Sequence, residues 1–260
     1  MKEVRLFYAP DIPRVLDLPE EEAKHILRVL RYEVGDELWI TDGQGRAFRC
    51  AIAAASAKRC SVKVLSEESV QPTWHKGINL AIAPTKNMDR MEWMVEKAVE
   101  MGVDSITFLE CRNSERRNVK TDRLIKVAIS AMKQSHKAVL PVINEMVPFA
   151  KFVERCQIEQ KFIAHCYNEA DLTDEVQKRK EAETAFYALT GNEKPFLFNC
   201  IDAQAETIVC IGPEGDFSLD EVRLAENSGF KPVSLGNNRL RTETAGLSAV
   251  EMMYIKKAVL

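Results

Sequence analysis

The 260-residue chain has no apolar run near the roughly 18 residues that would span a bilayer. Its opening, MKEVRLFYAPDIPRV, shows no uninterrupted apolar stretch with a small-residue cleavage site, so no signal peptide is expected. There is no C-x-x-C, and seven cysteines lie singly at 50, 60, 111, 156, 166, 200 and 210. The four histidines show no metal-ligand spacing. Neither a disulfide framework nor a metal site is expected, and the cysteines read as buried thiols in a reducing cytoplasm. No G-x-G-x-x-G and no G-x-x-x-x-G-K-[ST] occurs, which argues against a nucleotide-dependent dehydrogenase and a P-loop enzyme. Overall basic charge is lacking too: the net charge is −3.

That acidic total hides a local excess. Between Arg112 and Lys137 there are eight Lys or Arg against two acids, Glu115 and Asp122. Such a patch can hold phosphates although the whole chain is acidic, and its plainer reading is a solvated helix face.

The patterning divides the chain. Residues 4–9, 37–55 and 59–66 read as strands, the middle stretch as a hairpin around Asp42-Gly43. Residues 18–31 read as a helix with three glutamates in its first turn. Together they predict a small β-barrel-like module. Residues 67–77 read as a linker, which places one domain at 1–70 and another at 71–260. The second part alternates strands (78–84, 104–110, 161–167, 206–212, 231–236) with helices (88–102, 121–139, 218–229) and a closing amphipathic helix from Thr244. Met91, Met94, Val95, Ala98 and Met101 form a core stripe on the first of these helices, and Trp93 reads as core or interface. Thr121 is an expected N-cap, Ser218 and Glu221 a capping box, and Gly229 a helix stop. The fold class is α/β, with a mostly parallel sheet covered on both faces.

Ligands of open α/β sheets bind at the carboxyl ends of the strands. Three strand ends carry glycine-led loops: ALTGNEKP (188–195), IGPEG (211–215) and LGNNRLRTETAG (235–246). Glycine lets the backbone approach a ligand closely. Glu214 would repel a pyrophosphate, so a ligand with hydroxyls, an adenine edge and a positive centre fits better, and S-adenosylmethionine has all three. The plainer reading of GPEG is a capped turn feeding a helix. In RLRTETAG, Arg241 faces an RNA phosphate or base oxygen on one reading and a local ion pair on the other.

IGPEGDFSLDE and LGNNRLRTETA resemble two signature loops of the RsmE-type 16S ribosomal RNA uridine-N3 methyltransferases of the SPOUT superfamily. HILRVLR (25–31), KNMDRMEWMVEKAVEMGV (86–103) and AMKQSHKAVLP (131–141) are similar to three further elements of that family, in the same order. The resemblance implies a PUA-like RNA-binding domain, a SPOUT domain with a C-terminal trefoil knot, and a homodimer. It also implies 16S rRNA or the small ribosomal subunit as substrate. It assigns S-adenosylmethionine to Leu189, Thr190, Gly191, Ile211, Gly212, Pro213, Glu214, Gly215, Leu235, Gly236, Leu240, Arg241 and Thr242. RNA contacts fall to Arg28, Arg31, Arg90, Arg112, Ser114, Lys133 and Gln134. For the chemistry, Arg241 is the expected stabiliser of charge on the uridine oxygens, and the proton goes to a carboxylate, Glu243 or Glu214, or to a backbone-activated water. Valine at Gly212 is expected to abolish cofactor binding while leaving the fold intact.

The chain departs from the family at several positions. Asp216 stands where glycine is usual, Asn238 where arginine is, and Arg239 where an apolar residue is. Lys133 and Lys137 replace a glutamate and an arginine. These departures keep two alternatives in play: a SPOUT enzyme with another RNA target, such as a tRNA ribose hydroxyl, and a non-catalytic rRNA-binding assembly protein.

Overall fold

A computed structural model describes residues 5–56, 59–72, 77–167 and 194–258. Contacts divide the chain into two units. One is Met1–Thr73 with Lys126–Leu140, and the other is Trp74–Ile125 with Pro141–Leu260. Among the described residues no helix is long and apolar enough to cross a membrane, and no cluster of side chains could hold a metal ion.

In the first unit the expected barrel-like module is a four-stranded sheet. Strands β1 (Leu6–Tyr8), β2 (Glu37–Thr41), β3 (Arg46–Ala55) and β4 (Cys60–Ser69) lie in that order. The β2–β3 hairpin forms where Asp42-Gly43 predicted it. The Asp42 carboxylate accepts from the Gln44 N–H at 2.8 Å and from Arg46 Nε at 2.7 Å, closing the turn from its own side chain. Strand β4 pairs with β3 as far as Ser69, so the expected linker begins later than its polar composition suggested. Helix α1 (Glu20–Lys24) runs on into a wider π turn over His25–Val29 and stops at Arg31, whose φ is 57°. Phe7, Ile26, Ile40, Phe48 and Ile52 build the core beneath it.

Residues 126–140 belong to this unit through backbone bonds at the hairpin. Gly45 N–H donates to Ala138 O at 2.8 Å, and Leu140 N–H donates to Gly43 O at 2.8 Å. Helix α3 (Thr121–Gln134) ends five residues before its predicted limit because His136 turns to φ 53°. The Lys137 N–H then bonds back to Met132 O, closing the helix end. Lys133 reaches the buried Glu22 carboxylate from this helix.

The second unit holds six strands, all parallel: β5 (Ile78–Ile82), β6 (Ser105–Glu110), β7 (Val142–Pro148), β8 (Gln160–Ala164), β9 (Thr207–Ile211) and β10 (Lys231–Val233). Their order is β10-β8-β9-β5-β6-β7. Strands β5 and β9 are buried at every residue, which is why they read as largely apolar; the buried Asn79 in β5 is satisfied by Glu206 and the Thr207 carbonyl. Strand β7 was not foreseen. It lies at the sheet edge with no buried residue, so it carries no apolar pattern to read. Helix α2 (Met88–Met101) buries Met91, Met94, Val95 and Ala98 as the stripe predicted, whereas Met101 at its end is only half-buried and Trp93 is 49% exposed and not core. Helices α4 (Phe149–Arg155), α5 (Leu197–Cys200) and α6 (Leu219–Asn227) follow. Around α6 the Ser218–Glu221 capping box and the Gly229 stop (φ 86°) are present as predicted.

The closing helix α7 (Thr242–Ala258) is not amphipathic in its first half. Thr242, Glu243, Ala245, Gly246, Leu247, Ala249 and Val250 are all buried. The helix packs on β5 and β9 and against α2 and α5, so more than one face is covered. A Cβ at Gly246 would lie 2.8 Å from Ile82 Cδ1, which measures how closely it approaches β5. The expectation of buried thiols holds for Cys50, Cys60, Cys111 and Cys210, while Cys156 and Cys200 are half-buried and Cys166 is exposed. Burial pushes the Cys50 thiol up to about 11, out of the reactive range.

Lys133 compensates a carboxylate that is otherwise shut away from water. Lys133→Met should therefore cost about 3 kcal/mol, while the double variant with Glu22→Gln should recover most of it. Urea unfolding of the four combinations measures the coupling, and additive losses would show that the pair is not interacting.

Candidate functional site

All six strands of the second unit point the same way, so the loops after them gather at one edge of the sheet. Among those loops is IGPEGDFS, which leaves β9 at Ile211. Gly212 and Pro213 are buried, and Glu214 and Gly215 are exposed. Each carboxylate of this stretch is committed to a backbone N–H of a neighbouring loop. Glu214 Oε1 accepts from the Lys86 N–H, at the end of the β5 loop, at 3.0 Å. Asp216 Oδ2 accepts from the Cys166 N–H, just after β8, at 2.8 Å. Glu221 Oε1 accepts from the Arg112 N–H, after β6, at 2.8 Å, while its other oxygen completes the capping box of α6. Asn113 closes the set by donating to the carbonyls of Gly215 and Asp216 at 3.2 and 3.0 Å.

The departure at Asp216 is accommodated in the left-handed region, at φ 62°. Aspartate tolerates that conformation better than most residues. Its Oδ1 also accepts from the following Phe217 N–H at 2.8 Å, so both carboxylate oxygens are used. Gly212 has ordinary φ, and its lack of a side chain serves packing. A Cβ there would meet both the ring and the backbone nitrogen of the fully buried Phe217 at 3.1 Å. The expectation that valine at Gly212 spares the fold is therefore corrected, because the γ carbons would press on the core.

The loop after β10 contributes Leu235, half-buried, and Gly236, at φ 121°. Nothing lies within 4 Å of a Cβ built at Gly236, so its backbone faces open space at a strand end, as a ligand cradle requires. The Ser234 hydroxyl holds the turn by accepting from the Gly236 N–H at 3.1 Å. Further along, Leu240 is half-buried and Arg241 exposed, and α7 then begins with buried Thr242 and Glu243. The Glu243 carboxylate lies 3.8 Å from Arg90 Nε of α2, so a residue expected in the chemistry and one expected at RNA sit together. Leu189, Thr190 and Gly191 fall outside the described residues.

The other expected RNA residues are dispersed. Arg28, Arg31 and Gln134 are exposed in the first unit, where Lys133 is held by Glu22. In the second unit Arg112 is exposed, with its guanidinium 3.2 Å from Asp220. Ser114 is buried and its hydroxyl accepts from the Cys111 N–H at 3.0 Å, an engagement within its own loop.

One residue of this edge escaped the sequence reading. His165 follows β8 directly and is only 6% exposed. Its Nδ1 lies 3.2 Å from Lys194 Nζ, and its Nε2 has no partner among the described residues. An ammonium group only donates, so Nδ1 accepts and the imidazole proton sits on Nε2. Burial, helped by the Lys194 charge, pushes its pKa down to about 3. A lone histidine in KFIAHCY gave no signal, because the second group that defines its state lies 29 residues away.

Replacing Asp216 should rank the site's constraints. Asp216→Ala loses both accepted bonds and places an ordinary side chain at positive φ, so about 3 kcal/mol should be lost. Asp216→Gly should lose about 1 kcal/mol less, since glycine adopts that φ freely. Denaturant unfolding gives the order, and equal losses for the two would remove the conformational part of the account. His165 makes a separate prediction. Its folded pKa lies below the unfolded value of 6.5, so the unfolded chain binds the proton first as pH falls. Stability from this group is complete above pH 6.5 and declines toward pH 3, by up to about 1.4 kcal/mol per pH unit. His165→Gln should flatten the stability–pH curve in that window, and parallel curves would refute a buried neutral imidazole.

Comparison with known proteins assigns this architecture. Residues 72–254 match the RNA methyltransferase domain family, and residues 18–65 match the RNA methyltransferase PUA domain. A solved structure of a probable rRNA-methyltransferase from Porphyromonas gingivalis is 43% identical. The similarity covers 98% of this chain and 99% of that one, with a TM-score of 0.86. The structure of a Ribosomal RNA small subunit methyltransferase E from Neisseria gonorrhoeae, bound to S-adenosyl methionine, is 25% identical, covers 97% and 98% of the two chains and has a TM-score of 0.79. Ribosomal RNA small subunit methyltransferase E of Bacillus subtilis is 26% identical over 92% of this chain and 90% of its own length. With two domain matches in sequence order and likeness along nearly its whole length, the chain belongs to the RsmE family of ribosomal RNA methyltransferases, with PUA and SPOUT-type RNA methyltransferase domains.

Proposed function

We propose that this protein uses S-adenosylmethionine to methylate N3 of one uridine in the decoding region of 16S rRNA. The observation that carries the reading is the edge where the β9 and β10 loops emerge: a glycine backbone facing open space at Gly236, and a β9 loop whose carboxylates are spent on neighbouring amides. That edge suits a cofactor read largely by backbone groups. The residues present fit S-adenosylmethionine better than a nucleotide phosphate, because the Glu214 carboxylate stands in the β9 turn. Ile211, Leu235 and Leu240 supply apolar walls for an adenine, and Gly212, Gly236 and Thr242 supply close backbone. Leu189, Thr190 and Gly191 belong to the proposed pocket through the family resemblance.

When bound, the cofactor supplies an electrophilic methyl group on a sulfonium. The protein's task is to orient the uridine, take its N3 proton and stabilise the charge left on O2 and O4. Arg241 is exposed beside the proposed pocket and supplies the positive charge to an oxygen. Glu243, buried at the start of α7 and paired with Arg90, is the proposed proton acceptor. Glu214 is the weaker candidate, since its carboxylate already holds the Lys86 amide. The target base has to leave its stack to reach this edge. The proposal includes the trefoil knot and the homodimer that go with the family, and exposed Trp93 on α2 is a candidate for the dimer surface.

Purified protein, labelled S-adenosylmethionine and small ribosomal subunits lacking the modification provide the test. A single 3-methyluridine in the decoding region, mapped by mass spectrometry, is the expected product. Methylation of another nucleotide would replace the target, and cofactor binding without transfer to any RNA would sink the enzymatic reading. Arg241→Ala should lower kcat by about 10²–10³-fold at saturating cofactor.

A further inference from the structure

Two adjoining cavities lie on the second unit, between the loop after β5 and the segment that leads into α3. One, of about 350 Å³, is lined by Lys86, Glu115, Arg116, Arg117 and Asn118. The other, of about 210 Å³, shares Arg116 and Asn118 and adds Met88, Glu92, Lys120, Arg123 and Leu124. Five cations thus face two carboxylates. The carboxylates do not neutralise the groove evenly. Glu115 pairs with Lys86 at 3.0 Å and Glu92 with Arg123 at 2.6 Å, at the two ends. Between them stand Arg117, 68% exposed and 3.8 Å from Glu110, and exposed Lys120.

Arg116 distinguishes this groove from a solvated charge run. Its Nε and Nη2 donate to the carbonyls of Thr85 and Lys86, the closest at 2.6 Å. The guanidinium is therefore fixed in plane where the cavities meet. Lys86 is the residue whose amide Glu214 holds, so the groove is connected through one loop to the β9 turn.

We infer that this groove binds the sugar-phosphate backbone of the substrate RNA, with phosphates at Arg116, Arg117 and Lys120 and a ribose against Met88 and Leu124. Arg116, Arg117 and Lys120 lie in the basic stretch that the sequence marked as able to hold phosphates, but none is among the RNA contacts that the family resemblance implied. Cations line both cavities and apolar side chains line the second, so the groove suits a ligand that carries both phosphate and sugar, which a lone inorganic anion would not need. The inference rests on the proposed RNA substrate and adds the surface that holds it. Contacts of this kind position the RNA without reading its sequence.

A salt titration tests this. Binding of a fluorescein-labelled 12-nucleotide oligouridine is measured from 50 to 200 mM salt for the wild-type protein, Arg117→Ala/Lys120→Ala, and a charge-matched control, Lys151→Ala/Lys231→Ala. Single-stranded RNA loses about 0.7 in the slope of log K against log salt for each phosphate contact removed. The groove variant should therefore lose about 1.4 in slope and bind at least about tenfold more weakly at 50 mM salt, with unchanged S-adenosylmethionine affinity. The control should change the slope by less than half as much. Lys120→Ala alone, at an exposed side chain, should lose about 0.7 and serves if the double variant unfolds. An unchanged slope in the groove variants, an equal change in the control, or no oligouridine binding by the wild type would each overturn the inference. If the wild type still methylates small subunits, the proposed function survives that result; if it does not, that reading fails separately.

Discussion

The carboxyl edge of the parallel sheet depends on one constraint: backbone N–H groups in its loops must find acceptors once the strands have ended. Glu214, Asp216 and Glu221, all within eight residues, meet that need for the loops after β5, β8 and β6 respectively. These bonds lie at the solvent-exposed surface, where each contributes about 0.5–1.5 kcal/mol net, and together they tie three loops to one turn. The β9 loop consequently holds the others. The carboxylate in the middle of GPEG has a structural reason independent of any ligand, and the ligand-facing role passes to the glycines and the backbone.

Helix α7 supplies the second half of the arrangement. It enters directly after the β10 loop and is covered on more than one side for its first turns. Gly246 permits that burial by letting the helix approach Ile82. At its far end Lys257 is 1% exposed, and its ammonium donates to Ala205 O at 2.5 Å and more distantly to Ala203 O. Anchored at the sheet by packing and at its C-terminus by a buried ammonium, α7 holds Glu243 and the preceding Arg241 in a fixed relation to the β9 and β10 loops. The Arg90–Glu243 pair adds α2 to the same assembly.

What could be read in the sequence follows what was buried. β5 and β9 are largely apolar because both faces are covered, and the capping box of α6 is legible because all its partners lie within four residues. The edge strand β7 was missed because it buries no residue, and α4 because its two core residues, Phe149 and Val153, span little more than one turn of a seven-residue helix. The closing helix was misread as amphipathic because its wet half lies toward the C-terminus, not along one side. At the candidate site, local signals such as Gly236 and Asp216 pointed to loops that leave β10 and β9 at the carboxyl edge of the sheet. The lacing bonds join residues 50 to 128 positions apart, as does the tie of Lys194 to His165 on a shorter scale, and no window of sequence contains both partners.

Asp216 bears on whether the chain has kept its chemistry. A glycine there would reach φ 62° without strain but would leave the Cys166 and Phe217 amides to water. Aspartate accepts a small conformational cost and returns two charge-assisted bonds, one of which fixes the start of the segment after β8. The backbone path of the β9 turn is the one glycine would take, so the substitution alters how the turn is held and not where it runs. A departure of that kind gives no support to a loop that has lost its ligand. Tethering Cys166 to the β9 turn is what a site read by backbone atoms would require, since its precision can be no better than that of the main chain.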